Sequence, residues 1–558
     1  MNKNNILFKG VVVLVLGLNL IIRVWGLEVS PTSINWDEAS IGYNAYSILT
    51  TGKDEYGTYL PLSLRSFNDY KPALYAYLSI PFIKLMGLSQ TSVRMVSVVA
   101  GTLSLIPLLL FINILLKKKW WSFLIWMFYC LDPLRLHFSR VSLETNLSMS
   151  FFSFGAWYLL KDKLSNGYTT PKNMILATIL LALSAYSYHS ARLAAPLLML
   201  FVLIDPFKYL LNKNKIDWKF LLNLKYILLF LILILPIFND FGSQKILTRF
   251  TQENIFNKFY PFTPRNMYKY DLNTFLRVNP LYYLTGIIAG HTAAYFSPAN
   301  YSINFYHWIK NSVMYVPEFN MLGFWNSILL VPGIYILLKN FRNTNYRLVF
   351  YWVAAALMPS AITWNWFHTL RSANLIPAVE IISILPIIYL IKLNYSKKRL
   401  TVMFGLLVLF GWQSIFVINN ELVYANYENQ GEYQPGGFKE GTPIISSLID
   451  KYQKIIVDTP HAQGYIFFLF YQMMDPEIIQ SIAKNRTYGM DNGNSEIKFG
   501  KYEFRKIDWP KDRDLSNTIL WMPATTPQEA IDNRPGAKAI FLKGPTIKYN
   551  SAMIVTLD

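Results

Sequence analysis

Long apolar stretches alternating with short basic loops are the feature that most constrains how this chain can fold. A helix needs about 17–25 mostly apolar residues to cross the hydrocarbon core of a membrane. Stretches of about this length lie near residues 8–27, 92–116, 119–134, 143–160, 173–190, 192–207, 222–238, 320–338, 346–362, 373–391 and 400–418. The pattern predicts an all-α polytopic membrane protein with about 11 transmembrane helices.

The composition agrees with this prediction. Only 15% of the 558 residues are charged and 53% are hydrophobic, whereas soluble domains usually carry about 25% charge. The net charge of +19 would indicate a nucleic-acid partner in a soluble protein. Here the basic residues lie in short loops between apolar stretches, so we expect membrane lipids as partners and no nucleic acid.

The distribution of Lys and Arg predicts the orientation, because cytoplasmic loops are enriched in both residues. If the N-terminus is cytoplasmic and the first stretch is an uncleaved span, the basic loops all fall on one side. Their basic residues are Lys117–Lys119; Lys161, Lys163 and Lys172; Lys208, Lys213, Lys215, Lys219 and Lys225; Lys339, Arg342 and Arg347; Lys392, Lys397, Lys398 and Arg399. The sequence therefore predicts a multi-pass protein of the cell membrane with its N-terminus in the cytoplasm.

This orientation places the loops at about 28–91 and 239–320 outside the cytoplasm. The apolar segment 72–86 is predicted to lie at the interface or to re-enter, since a span there would invert every later loop. Residues 1–418 are thus the predicted transmembrane module. The more polar tail 419–558 is predicted to form a small mixed α/β extracytoplasmic domain, because Gly, Pro and Asn separate three strand-like runs: Lys454–Val457, Thr518–Trp521 and Ala539–Leu542.

The first external loop contains Asn35-Trp36-Asp37-Glu38 at the start of an amphipathic pattern, typical of a helix lying in the interface. One interpretation is local: Asn35 caps the helix, Glu38 completes a capping box, and Asp37 interacts with the helix dipole. The other is catalytic. Asp37, held at the bilayer surface, would act as a general base that takes a proton from an acceptor hydroxyl.

A second motif, Asp69-Tyr70-Lys71-Pro72, precedes the 72–86 segment. A lysine at this position usually extends to lipid headgroups. If a lipid phosphate binds here, Lys71 would instead stabilise the charge on the departing phosphate. Asp69 would then orient Lys71 or bind sugar hydroxyls.

Further polar residues lie at the predicted outer ends of spans. His189 and Arg192 lie between the fifth and sixth stretches, His368 and Arg371 precede the tenth, and Glu380 lies inside it. Each alone is typical of an interfacial anchor or a structural pair. Together they place acids and bases where the headgroup of a polyprenyl phosphate would lie. The sequence has neither a Cys/His metal signature nor a Gly-rich phosphate loop, so we predict no metal and no cofactor.

With these residues, the chain resembles the GT-C membrane glycosyltransferases, in particular the protein mannosyltransferases that use dolichyl-phosphate mannose and the bacterial lipid A aminoarabinose transferase. The resemblance covers roughly the first 420 residues. It depends on Asp37-Glu38, on Asp69-Tyr70-Lys71-Pro72 and on Val316–Leu322. Tyr70 separates Asp69 from the Lys-Pro pair, whereas that branch often has an acidic residue directly before it.

The resemblance implies a helical bundle whose cavity is covered by juxtamembrane helices of the first loop. It also implies a polyprenyl-phosphate-linked sugar donor and a reaction that inverts the anomeric centre. The acceptor is an unidentified protein, lipid or glycan. By the resemblance, Asp37 matches the base, Glu38 assists it, and Lys71 contacts the phosphate. The remaining predicted contacts to phosphate or sugar are Asp69, His189, Arg192, His368 and Arg371.

Two other functions fit parts of the sequence. A transporter or flippase would be expected to have paired repeats and broken helices with polar groups near the middle of the membrane; no repeat is visible, and Glu380 is the clear deep carboxylate. A non-catalytic scaffold with an external binding tail would make Asp37 merely a residue at a helix start.

Overall fold

The computed structural model describes most of the chain. The residues that it does not describe are 1–2, 32, 68, 167–168, 208–222, 241–279, 298–299, 301–321, 364–366, 394–396, 425–436, 459–463, 484–496, 524–530, 532–533 and 544–549. Most of the second external loop, most of the Val316–Leu322 motif and the basic loop before Lys225 therefore lie outside the described residues.

Up to Tyr424, the regular secondary structure of the described residues consists of helices and one short hairpin. They are α1 (Lys3–Val24), α2 (Trp36–Thr51), α3 (Leu74–Met86), α4 (Gln90–Leu103), α5 (Leu105–Leu116), α6 (Lys119–Tyr129), α7 (Pro133–Phe138), α8 (Glu144–Asn166), α9 (Pro171–Ser187), α10 (Ala191–Ile204), α11 (Leu224–Asp240), α12 (Pro280–Ala294), α13 (Phe324–Lys339), α14 (Thr344–Ala361), α15 (Ile376–Lys392) and α16 (Lys397–Asn419). A 3-10 turn (Ala373–Leu375) precedes α15, and a π turn (Asn420–Tyr424) follows α16.

Every stretch predicted as a span overlaps a helix. Among the described residues, four helical segments are long and apolar enough to cross a membrane: Asn4–Val24, Gln90–Leu116, Ala373–Lys392 and Leu400–Val423. The first and last of these are only 6% and 17% buried over their most apolar windows. Their apolar side chains therefore face outward, as expected for helices that contact lipid.

The segment 72–86 forms the helix α3, which follows the antiparallel hairpin of β1 (Ser63–Ser66) and β2 (Asp69–Pro72). With 13 residues and a rise of 1.5 Å per residue, α3 is about 20 Å long. The hydrocarbon core is about 30 Å thick. This length is consistent with the predicted interfacial position, which stays a prediction.

The tail contains a six-stranded sheet in the order β4-β5-β3-β6-β8-β7. β3 is parallel to β5 and β6, and the other pairs are antiparallel. The three runs predicted as strands form β3 and parts of β6 and β7. The elements of the tail are α17 (Phe438–Leu448), β3 (Lys454–Val457), α18 (Tyr465–Tyr471), α19 (Pro476–Ile482), β4 (Ile497–Phe499), β5 (Tyr502–Phe504), α20 (Trp509–Asp512), β6 (Thr518–Pro523), β7 (Ala537–Lys543) and β8 (Asn550–Leu557).

The tail packs directly on α2, the helix that carries Asp37. A side chain at Gly42 would lie 2.6 Å from the ring of Phe470 in α18, so the missing side chain allows the two helices to approach closely. The Tyr43 hydroxyl donates to the carbonyl of Met474 at 3.0 Å. α2, α3, α4 and the tail thus share one apolar core, and α2 is held from both sides.

Candidate active site

Asp37 and Lys71 are distant in sequence but form an ion pair between the Lys71 ammonium and the Asp37 carboxylate. Asp37 lies in the first turn of α2 and Lys71 lies in β2. The Lys71 side chain is 10% exposed, whereas that of Asp37 is 42% exposed. The ring of Phe67 is 5.7 Å from the ammonium. A fixed cation therefore lies beside a carboxylate that a substrate can reach.

The start of α2 explains how Asp37 is positioned. The side chain of Asn35 accepts from the backbone N–H of Glu38 at 2.9 Å, and Glu38 accepts from the backbone N–H of Asn35 at 3.2 Å. This capping box confirms the local interpretation for Asn35 and Glu38. It also fixes the turn from which Asp37 projects, so the local interpretation and the catalytic one are compatible.

Glu38 has no access to a substrate in this structure. Its side chain is fully buried, and Arg94 donates to both carboxylate oxygens, from Nε at 3.0 Å and from Nη2 at 3.1 Å. The backbone N–H of Ser142 donates to the same carboxylate at 2.7 Å. Both oxygens of Glu38 thus accept from protein donors, an arrangement suited to holding the start of α2 in place. The expected assistance of Glu38 to Asp37 stays a prediction.

Arg94 was not identified as a site residue from the sequence, although it is central to the site. Its Nη1 donates to the carbonyls of Leu27 and Pro31, and its Nη2 donates to that of Ser33. Together with Glu38, it ties the segment before α2 to α4. The signal for Arg94 in the sequence is its position inside an apolar stretch, because a charge there needs a partner.

Asp69 lies in β2 opposite Ser66 of the hairpin. Its side chain lies outside the described part of the structure, so its predicted role in orienting Lys71 or binding sugar stays a prediction. Lys71 pairs with Leu64 in the same hairpin. The hairpin thus holds the Lys71 ammonium next to Asp37.

The other predicted contacts lie at the same end of the bundle, on the neighbouring helices. Ser142, which binds Glu38, lies two residues before the start of α8. One turn into α8, Ser148 Oγ lies 3.4 Å from the side-chain nitrogen of Asn374, which is also 3.4 Å from Ser190 Oγ. These contacts connect the starts of α8, α10 and α15. They place on this end the turns that carry His189, His368 and Arg371 and the start of α10, which carries Arg192.

Three of these residues make hydrogen bonds within their own surroundings. The hydroxyl of Tyr295 accepts from the backbone N–H of His368 at 2.8 Å, and Nδ1 of His368 accepts from that of Arg371 at 3.4 Å. Arg192 Nε donates to the carbonyl of Ala185 at 3.3 Å. None of these contacts tests whether the side chains bind phosphate or sugar, so those roles stay predictions.

Glu380, the deep carboxylate noted in the sequence, forms a buried pair with Arg135. Nε and Nη2 of Arg135 each lie 2.5 Å from one carboxylate oxygen. Both side chains are almost fully buried. A paired charge of this kind is expected inside a membrane protein. It gives Glu380, which lies just over one turn into α15, a structural partner.

The described residues include no group of three or more His, Cys, Asp or Glu side chains that could hold a metal ion. Cys130 is also buried.

The segment between α1 and α3 contains a second acidic pair, Asp54-Glu55, and both of these residues are buried. Glu55 accepts from the side chain of Asn44 at 3.1 Å and from the hydroxyl of Tyr465 in the tail at 3.1 Å. Asp54 accepts from the backbone N–H groups of Tyr56 and Thr58 at 3.0 Å and 2.8 Å. Burial raises the pKa of Asp54 to about 6, and the neighbouring Glu55 adds to the effect.

This pKa predicts a pH dependence of stability. An unfolded Asp has a pKa near 3.9, so the folded state binds more protons between about pH 4 and pH 6 and loses stability as the pH rises through 6. Asn cannot ionise but keeps the acceptor oxygen. We therefore expect Asp54→Asn to raise the unfolding free energy by about 2–3 kcal/mol at pH 8 and to change it little at pH 4. Thermal unfolding of the purified protein at both pH values measures the effect, with the exposed Asp450→Asn as control.

Comparison with known proteins identifies solved structures of the same fold but no matching sequence family. No protein-family model matches the chain, and no curated protein matches it. Among solved structures, ArnT from Cupriavidus metallidurans bound to undecaprenyl phosphate matches over 98% of each chain, with a TM-score of 0.56 and 11% identity. The apo form of the same enzyme matches with a TM-score of 0.54 and 12% identity over 98% of this chain and 97% of that one.

A second solved protein has the same architecture. The oligosaccharyltransferase AglB from Archaeoglobus fulgidus, in complex with an inhibitory peptide and a dolichol-phosphate, matches with a TM-score of 0.51 and 12% identity. The match covers 84% of this chain and 64% of that one. ArnT and AglB are both GT-C membrane glycosyltransferases. The chain has the GT-C fold. This confirms the predicted resemblance at the level of the fold, and with its apolar helices the chain is a multi-pass membrane protein.

Proposed function

We propose that this GT-C protein is a glycosyltransferase that moves one monosaccharide from a polyprenyl-phosphate donor to an acceptor on the extracytoplasmic side. The observation that carries the proposal is the Asp37–Lys71 pair, an accessible carboxylate beside a largely buried ammonium, on a fold whose solved examples bind undecaprenyl phosphate and dolichol-phosphate. A base and an anion-binding cation are the two groups that such a transfer needs.

The proposed reaction is a single displacement at the anomeric carbon. The acceptor hydroxyl gives its proton to the Asp37 carboxylate, and its oxygen forms the new bond to the anomeric carbon. On the opposite face, the bond between that carbon and the phosphate oxygen breaks, and the electron pair leaves with the polyprenyl phosphate. Attack and departure on opposite faces invert the anomeric centre. Lys71 stabilises the negative charge that gathers on the phosphate.

The ion pair suggests how the site is activated. The Lys71 ammonium pairs with the Asp37 carboxylate. A donor phosphate competes for the same ammonium, and its arrival would free the carboxylate to accept a proton. Because the Lys71 side chain is largely buried, the ammonium can move only a short distance. We infer that donor binding and exposure of the base are coupled through this residue.

The direct test is incubation of the purified full-length protein with a panel of polyprenyl-phosphate monosaccharides and with membrane extracts as the acceptor source. Mass spectrometry would then identify whatever gains one sugar residue. Formation of free polyprenyl phosphate together with a glycosylated product is expected for at least one donor. Intact donors throughout the panel, under conditions in which the protein remains folded, would contradict the proposal.

Lys71→Ala is expected to weaken donor binding by at least about tenfold, because a charge-assisted contact to phosphate is worth about 1.5–3 kcal/mol. Titration of the purified variant with undecaprenyl phosphate measures this effect. The matched control is Lys53→Ala, an exposed lysine of the same loop, which should bind as the wild type does. Unchanged affinity of the Lys71 variant would remove this residue from the donor site.

The proposed orientation can be tested with one introduced cysteine. The only natural cysteine, Cys130, is buried, so a cysteine at position 342, between α13 and α14, provides the accessible thiol. We expect a membrane-impermeant maleimide to label Arg342→Cys only after the cells are permeabilised. Labelling of intact cells would reverse the orientation and place the Asp37–Lys71 pair in the cytoplasm.

A further inference from the structure

An apolar groove of about 220 Å³ lies between α6, α15 and α16. Trp121 and Leu407 are among the side chains that line it. At the end of the groove away from Trp121, the rings of Phe128 and Phe410 pack with their centroids 5.3 Å apart. Tyr129 lines the groove with its ring and directs its hydroxyl to another side chain, Ser383, at 2.8 Å. The groove therefore suits a purely hydrocarbon occupant.

The length of the groove corresponds to one leaflet of a membrane. Its lining residues extend from Trp121 to Tyr129 along α6 and from Leu400 to Phe410 along α16. At 1.5 Å per residue these distances are about 12–15 Å. The hydrocarbon core of a bilayer is about 30 Å thick, so one leaflet contributes about half of it. A single acyl chain of one leaflet fits this depth.

The mouth of the groove is basic. Lys392 directly follows the lining residue Ile391, and its ammonium donates to the carbonyl of Leu115 at the end of α5, at 2.9 Å. Lys117 and Lys118 are near enough to Lys392 to repel it electrostatically. Across the described ranges, no carboxylate lies within ion-pair distance of these three ammonium groups. Three cations gathered without an acidic partner at an apolar opening favour an anionic headgroup.

This mouth is remote from the candidate active site. Arg94, which binds Glu38 beside Asp37, lies near the start of the continuous helical segment Gln90–Leu116, and Lys117 follows its end. Lys117 is 23 positions after Arg94, which corresponds to about 34 Å at the rise of an α-helix. A lipid with its headgroup at the mouth therefore cannot be the donor bound at Asp37 and Lys71.

We propose that the groove binds an anionic glycerophospholipid of the leaflet at the basic end of the bundle. One acyl chain lies along the groove, and the phosphate contacts the ammonium groups of Lys117, Lys118 and Lys392. The site is separate from the one proposed for sugar transfer and does not depend on that function. Because α6, α15 and α16 all line the groove, the lipid would hold α16 against the rest of the bundle.

Native mass spectrometry of the purified full-length protein tests the proposal with phosphatidylglycerol and phosphatidylcholine of identical acyl chains. We expect phosphatidylglycerol to bind at least about tenfold more tightly. The triple variant Lys117→Ala/Lys118→Ala/Lys392→Ala should lose this preference. Leu407→Trp fills the groove without changing charge and should weaken the retention of phosphatidylglycerol by a similar factor.

The control triple variant Lys161→Ala/Lys225→Ala/Lys339→Ala removes three lysines predicted to lie at the same end but outside the groove, and it should bind as the wild type does. Equal retention of the two lipids would overturn the proposal, as would wild-type binding by the first triple variant. Displacement of phosphatidylglycerol by undecaprenyl phosphate would assign the groove to the isoprenoid instead.

Discussion

Asp37→Asn is expected to lower the rate of sugar transfer by about 10²–10⁴-fold, the range typical for loss of a general base. The amide has nearly the same shape as the carboxylate but cannot accept the proton of the acceptor hydroxyl. The side chain of Asp37 is substantially exposed and the capping box uses Asn35 and Glu38 instead, so the fold should tolerate the change.

The measurement is single-turnover release of polyprenyl phosphate with the donor found in the panel. Asp37→Glu keeps a carboxylate and should retain more activity than the Asn variant, whereas Asp450→Asn, an exposed residue of the tail, should be fully active. Thermal unfolding of each variant separates loss of chemistry from loss of fold. Wild-type turnover by a folded Asp37→Asn variant would exclude the proposed base.

Arg94→Met is expected to destabilise the protein by about 3–5 kcal/mol, the cost of leaving one member of a buried ion pair without its partner. The Glu38 carboxylate would lose two charge-assisted hydrogen bonds in a site with no exposure. The segment before α2 would also lose the three carbonyl contacts that Arg94 makes. Since this segment leads into the turn that presents Asp37, turnover should fall even below the unfolding temperature.

Thermal and denaturant unfolding of the purified variants measures this effect, with the exposed Arg513→Met as the matched control. The double variant Glu38→Gln/Arg94→Met removes both charges and should be less destabilised than the sum of the two single changes, because the two residues are directly coupled. Simple additivity would show that the pair does not act as a unit. A stable and fully active Arg94→Met variant would remove it from the positioning of Asp37.

The local structure of the candidate site was predictable where a short motif specifies it. Asn35-Trp36-Asp37-Glu38 gives the cap and the helix start from four adjacent residues, since capping depends on local spacing. Glu38 shows the limit of this reasoning. Two adjacent carboxylates look equivalent in sequence, but one is substantially exposed and the other is fully buried against Arg94. Only the packing of α2 against α4 distinguishes them.

The contacts between distant segments could not be derived from the sequence. The pairing of Glu380 with Arg135 depends on how α15 packs near α7, the helix that carries Arg135. The packing of the tail on α2 likewise depends on the missing side chain at Gly42. It also depends on two hydrogen bonds, from Tyr43 to Met474 and from Tyr465 to Glu55. Nothing in the local pattern of either segment specifies its partner.

The sequence by itself determined the helical membrane architecture, because the length of an apolar stretch and the charges at its ends reflect the solvent around each segment. It also determined the start of α2 and the residue types available for transfer chemistry. The tertiary structure decided that Asp37 pairs with Lys71 while Glu38 is buried against Arg94, and that three lysines lie at the mouth of an apolar groove. Those outcomes depend on how helices far apart in the chain pack together, and side-chain burial is a property of that packing rather than of local sequence.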